Sequence, residues 1–110
     1  MTTPLTLPAP PEIEYEEVTR RMPMYHVILL DDDAHTYEYV IVMLLQIFGY
    51  PPEKGYAMAK EVDKTGRCIV LTAPLERAEF KRDQIHAFGA DPLSTKSAGS
   101  MSAVIEPAPS

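Results

Sequence analysis

The chain has a single cysteine, Cys68, among 110 residues. That excludes an internal disulfide and any multi-cysteine zinc site. Cys68 sits in an apolar run, where a small buried hydrophobe is the plain expectation. Positive charge is also scarce. Ten Lys and Arg face sixteen Asp and Glu, for a formal net charge of −6, and the basic residues form no stripe. A nucleic-acid backbone is therefore an unsuitable partner. No apolar run approaches the ~20 residues that cross a bilayer, so no membrane partner is expected. The opening stretch, MTTPLTLPAPPEIEYEE, has no basic region followed by an apolar one. This gives the expectation of no secretory leader and of a cytoplasmic protein. No nucleophile–base pair is visible, which argues against an enzyme, and no internal repeat is present.

What is there centres on YHVILLDDDAHTYEYVIVMLLQIF, Tyr25 to Phe48. Val27 to Leu30 form a short run of strand formers. Asp31, Asp32 and Asp33 end it, because three adjacent carboxylates cannot all be buried. From Tyr37 onward, Val40, Met43, Leu44, Ile47 and Phe48 recur at helical spacing. The pattern predicts a strand over 24–30, an acidic turn, and a helix over 36–48. Asp33 or Thr36 is its N-cap, Glu38 favours the helix dipole, and Gly49 stops it.

The remainder alternates in the same way. A second helix is expected from Pro52 to about Lys64, with Tyr56, Ala59 and Val62 inward beside Met58. Gly66 ends it, and Cys68 to Leu71 make a second strand. Thr72 with Pro74 reads as the start of a third helix over 74–88, with Leu75, Ala78, Ile85 and Phe88 inward, stopped by Gly89. A polar loop at 90–100 leads to a third strand, Met101 to Ile105. The order β-α-α-β-α-β predicts a two-layer α+β domain, a three-stranded antiparallel sheet with three helices. Residues 23–107 form this core. Residues 108–110 are a tail, and residues 1–22 a flexible extension rich in Pro and Glu that buries too little to fold. It serves either as a solubilising leader or as a tether.

Four readings of the acidic turn compete. Asp is common in solvated turns, and three in a row beside His35 exceed what a turn needs. Asp31, Asp33, His35 and Asp63 are possible metal ligands, but they match no calcium loop, since the twelfth position from Asp31 is Val42. His35 has no partner at zinc spacing. A phosphorelay receiver is excluded by two helices following the first strand directly. The last reading is capture of a cationic amine. A free protein N-terminus has a pKa of about 7.7–8.0 and is largely charged at neutral pH. Carboxylates at 31–33, with Asp63, suit it, and Val40, Val62 and Met101 offer apolar walls.

The stretches VILLDDDAHTYEYVIVMLLQIFGY, EVDKTGR, AEFK and SMSAVIEP together resemble ClpS, the adaptor of bacterial Clp proteases. The resemblance spans about Met24 to Pro107. It implies an adaptor with neither catalytic activity nor cofactor. Such an adaptor binds substrates through a destabilising N-terminal Leu, Phe, Tyr or Trp and passes them to the N-terminal domain of a ClpA-type AAA+ unfoldase. By this resemblance Asp31, Asp32, Asp33 and Asp63 hold the substrate α-amino group. His35, Tyr37, Val40, Ala59, Val62 and Met101 form the pocket. Glu76 and Lys81 dock the unfoldase, and the N-terminal extension takes part in delivery. Asp31 stands where the family usually has Asn, Asp63 where it has His, and Tyr37 at a gatekeeping Met. The loop at 90–100 is longer than usual. The residues alone leave Val40, Val62 and Met101 open as core positions, and Glu76 and Lys81 as a solvated helix face. A regulator that docks on the unfoldase without using a degron pocket is the alternative.

Overall fold

The computed structural model describes residues 22–32, 34–92 and 99–109. Expectations for residues 1–21, for Asp33 and for 93–98 fall outside the described residues. β1 is Met24–Leu30, α1 Tyr37–Phe48, α2 Pro52–Thr65, β2 Arg67–Pro74, α3 Leu75–His86 and β3 Ser102–Pro107. The sheet order is β2-β1-β3, and both pairings are antiparallel. The apolar first strand is thus the middle one, and Val27, Ile28 and Leu29 are fully buried.

The three helices cover one face of this sheet. Val27 and Leu29 point into a core shared with Val40, Met43, Leu44 and Ile47 of α1, Ala59 and Val62 of α2, and Ala78 and Ile85 of α3. Fully burying a side chain such as Leu or Ile contributes about 1.5–3 kcal/mol, so this cluster supplies the main driving force for folding. The opposite face of the sheet carries Ile69, Val104, Arg67 and Glu106, all exposed. Ile28 lies between Ile69 and Val104 in register. Arg67 bonds Glu106 at 3.0 Å from the opposite edge strand and so reaches across β1.

Local chemistry sets the helix ends. Thr36 is the N-cap of α1, its hydroxyl oxygen accepting from the Tyr39 N–H at 3.1 Å. Gly49 closes the helix with φ 75°, a conformation that costs glycine nothing. Lys81 from α3 donates to the Ile47 carbonyl at 2.7 Å, one of the orphan acceptors of α1's last turn.

The structure corrects several inward assignments. Tyr56 is 50% exposed. α2 approaches α1 at Gly55, where an added Cβ would lie 3.3 Å from the Ile41 Cα. This close contact turns the buried stripe to Gly55, Ala59 and Val62. Leu75 is exposed as well, and Thr72 starts no helix. β2 runs on to Pro74, with Thr72 on its outer side bonded to His26 at 2.8 Å. α3 therefore starts at Leu75 and ends at His86, shorter than the predicted 74–88. β3 begins one residue after Met101 and keeps Glu106 and Pro107 in the strand.

Candidate functional site

The end of β1 and the end of α2 are tied together. The Asp31 N–H donates to the Gly66 carbonyl at 3.0 Å, and the Gly66 N–H donates to Val62 at 2.8 Å. Gly66 makes this turn with φ 89°. The consequence is that Asp31 and Asp63 face the same space. Between them lies a cavity of about 160 Å³ lined by Asp31, His35, Tyr37, Val40, Ala59, Val62, Asp63 and Met101. Val40, Ala59, Val62 and Met101 are buried and form its floor. Asp31, Tyr37 and Asp63 carry the polar groups of its mouth.

Tyr37 spans that mouth. Its hydroxyl donates to Asp63 Oδ2 at 2.8 Å, and its ring meets Tyr56 edge-on at 5.5 Å between centroids. The bond to Asp63 holds the phenolic proton, and with desolvation raises the Tyr37 pKa above its ordinary 10.0. The outward position of Tyr56 thus has a local result, since it buttresses the ring at the mouth.

The acidic turn divides its labour. Asp32 is turned into the turn itself and does not line the cavity. Its Oδ1 accepts from the Ala34 N–H at 3.0 Å and lies 2.9 Å from His35 Nδ1. The His35 side chain is 3% exposed, and its Nε2 donates to the Gly99 carbonyl at 2.8 Å. His35 therefore links the turn to the segment that delivers Met101. Asp33 lies outside the described residues, and no group of three or more metal-ligating side chains occurs among the described ones.

Sequence reasoning missed Asp91. It is a carboxylate only 2% exposed, in what read as a polar loop. Its Oδ2 accepts from the Thr36 N–H at 2.6 Å and from the Thr36 hydroxyl at 2.9 Å. Asp91 thereby places a negative charge at the start of α1, where the helix dipole favours it. Nothing in the local sequence marks it, because the contact joins residues far apart in the chain. The two docking candidates on α3 differ in setting. Glu76 is exposed, near Met22, Tyr25 and Leu75. Lys81 is half-buried, held at Ile47 and 5.6 Å from the centre of the Phe48 ring.

Carboxylates at the mouth of a hollow with an apolar floor suit the holding of a cation joined to a hydrophobic group, the arrangement of a binding module. Comparison with known proteins is consistent with that class. The family model described as ATP-dependent Clp protease adaptor protein ClpS matches residues 20–95, and the chain belongs to this family. The ATP-dependent Clp protease adapter protein ClpS of Thermosynechococcus vestitus is 32% identical over 74 residues, which span 66% of this chain and 79% of that protein. Its counterpart from a Nostoc species is 31% identical over 80 residues, 72% of this chain and 82% of that one. The solved structure of Agrobacterium tumefaciens ClpS2 bound to L-phenylalaninamide shares the fold. Its TM-score is 0.70 at 24% identity, over 80% of this chain and 100% of that one. No helix among the described residues is long and apolar enough to cross a membrane.

Proposed function

We propose that this Clp protease adaptor binds substrate proteins by a destabilising N-terminal residue and passes them to a ClpA-type AAA+ unfoldase. It works by binding alone, with no catalysis and no cofactor. The observation that carries this reading is the pairing of Asp31 and Asp63 above Val40, Ala59, Val62 and Met101 in one cavity. A substrate ammonium would sit between the carboxylates, with charge-assisted hydrogen bonds roughly twice as strong as neutral ones. The first side chain would enter the hollow. At about 160 Å³, the hollow compares with the ~150 Å³ apolar cavity that accepts benzene in another protein. L-Phenylalaninamide, the compound bound to Agrobacterium tumefaciens ClpS2, has a free α-amine next to a benzyl group, which agrees with this division. Glu76 and Lys81 on α3 would meet the unfoldase's N-terminal domain.

Calorimetry with peptides beginning in Phe or Leu tests the reading. Micromolar or tighter binding is expected for the free amine and loss of binding for the acetylated peptide. Equal affinity for both would remove the role given to the carboxylates. One observation favours a second reading, in which the chain docks on the unfoldase and redirects it without using the cavity. The Tyr37 hydroxyl already occupies one oxygen of Asp63. Unfoldase binding without any peptide binding would select that reading.

A further inference from the structure

We infer that Tyr39 is a positioning residue for the hollow: its hydroxyl seats the backbone that carries Met101 to the floor, so substrate affinity depends on an oxygen that no substrate touches. This rests on N-terminal recognition as proposed above and adds a residue on which that site depends. β3 pairs with β1 only as far as Ser102, opposite Leu30. Met101 precedes that pair, so the ladder does not fix its place. Yet Met101 is 2% exposed and lines the hollow. A methionine side chain is unbranched and adapts readily to its surroundings. The shape of the floor therefore depends on what holds the Met101 backbone.

The hold comes from the start of α1. Tyr39 is 5% exposed and does not line the hollow. It precedes Val40, a wall of the hollow, by one residue and so points ~100° away around the helix. Its hydroxyl donates to the Gly89 carbonyl at 2.5 Å. The Gly89 N–H donates to Ser100 Oγ at 2.6 Å. The Ser100 hydroxyl and the Met101 backbone N–H in turn hydrogen-bond the Tyr39 oxygen. The circuit closes, and a fully satisfied buried network of this kind rigidifies what it joins. The ring is held as well. His35 lies 4.6 Å from it between centroids and bonds the Gly99 carbonyl at 2.8 Å. Phe88 meets the ring edge-on at 5.5 Å. Residues 99, 100 and 101 are thus tied one after another. The phenolic oxygen is the atom shared by Gly89, Ser100 and Met101, and phenylalanine lacks that atom alone. Without it the Gly89 carbonyl and the Met101 N–H lose a buried partner, a costly state that the segment relieves only by shifting.

The experiment is calorimetry on the full chain with a short peptide beginning in Phe, at a temperature where every variant is folded. Tyr39→Phe is expected to weaken binding about 5-fold in the wild-type background and less than about 2-fold in a Met101→Ala background, the non-additivity of a residue that acts through another. In a methyl-labelled chain the Met101 resonance should move in Tyr39→Phe before any peptide is added. Tyr50→Phe is the control. Tyr50 also donates to a backbone carbonyl, that of Val70 at 2.6 Å, but does not line the hollow. Its loss should lower the urea midpoint and leave peptide affinity unchanged. Unchanged affinity in Tyr39→Phe, equal losses in the two backgrounds, or the same loss in Tyr50→Phe overturns the inference. If Met101→Ala binds too weakly to measure, an unmoved Met101 resonance overturns it instead. In those cases wild-type binding of the peptide leaves N-terminal recognition standing. If the wild type does not bind the free-amine peptide, or binds its acetylated form equally well, recognition falls and the inference with it.

Discussion

Replacing Asp91 with alanine is expected to cost the fold far more than its place in a polar loop implies. The carboxylate accepts two hydrogen bonds from Thr36, at 2.6 and 2.9 Å, and is 2% exposed. Hydrogen bonds to a charged partner contribute about 1.5–3 kcal/mol each. Its charge at the start of α1 adds about 0.3–1 kcal/mol through the helix dipole. The sum overstates the effect, because the Thr36 hydroxyl oxygen also accepts from Tyr39 and keeps a role without Asp91. The Thr36 N–H, however, loses its short acceptor. A loss of about 3–5 kcal/mol is expected, a large part of the 5–15 kcal/mol typical of a whole domain. Asp91→Asn keeps an acceptor but not the charge, and should lose about half as much. Urea unfolding followed by circular dichroism measures both variants. Because Thr36 lies between His35 and Tyr37, peptide affinity should weaken along with stability. A stability loss below about 1 kcal/mol for the alanine variant, the range of surface ion pairs, would refute the capping role.

Further outcomes are expected. Gly55→Val should destabilise by roughly 1–3 kcal/mol in the same unfolding assay, because a Cβ at that position already meets the Ile41 backbone at 3.3 Å. Lys81→Ala should lower the urea midpoint by the equivalent of about 1–2 kcal/mol through loss of its bond to Ile47. Glu76→Ala should leave the midpoint unchanged, so an effect of Glu76→Ala on unfoldase capture would report the docking surface without a folding contribution. The Cys68 thiol is pushed up to about 12 by burial, with Glu61 adding to the effect. A thiol reagent at pH 8 should therefore label Cys68 only on unfolding. The folded chain holds this proton more tightly than the unfolded one, so the contribution of Cys68 to stability should be fully present below about pH 8.5 and be lost as pH climbs toward 12. Rapid native labelling at pH 8 would contradict this.

Much of the architecture is legible in sequence because local rules agree. The apolar run of β1, the helical spacing from Tyr37, and the stops at Gly49 and Gly66 all point the same way, and the elements follow. What fails depends on contacts between elements. Periodicity places Tyr56 inward, but it cannot anticipate that Gly55 lets two helix backbones approach and rotates the stripe. Pro74 looks like a helix start, yet the pairing of β2 with β1 extends the strand to that residue. His35, Tyr37 and Ala59 enter the pocket by the family resemblance rather than by spacing. His35, Ala59 and Met101 lie in separate segments, and the fold brings them to one hollow. Asp32 illustrates the limit. Three adjacent carboxylates are alike in sequence, but one of them turns back on Ala34 and His35.

The pairing of β1 with β2 slips between Val27 and Ile28, whose partners are Leu71 and Ile69, so that Val70 is a spare residue. Its side chain is buried, and its carbonyl accepts from the Tyr50 hydroxyl at 2.6 Å. A regular strand cannot lose one residue without sending every later side chain to the wrong side. This one can, since deleting Val70 leaves Cys68 inward and Arg67 and Ile69 outward as before. The register of the strand is thus buffered against a one-codon loss at that position, and the cost would fall on the core, which loses the buried Val70 side chain, and on Tyr50, whose hydroxyl would have to find another acceptor.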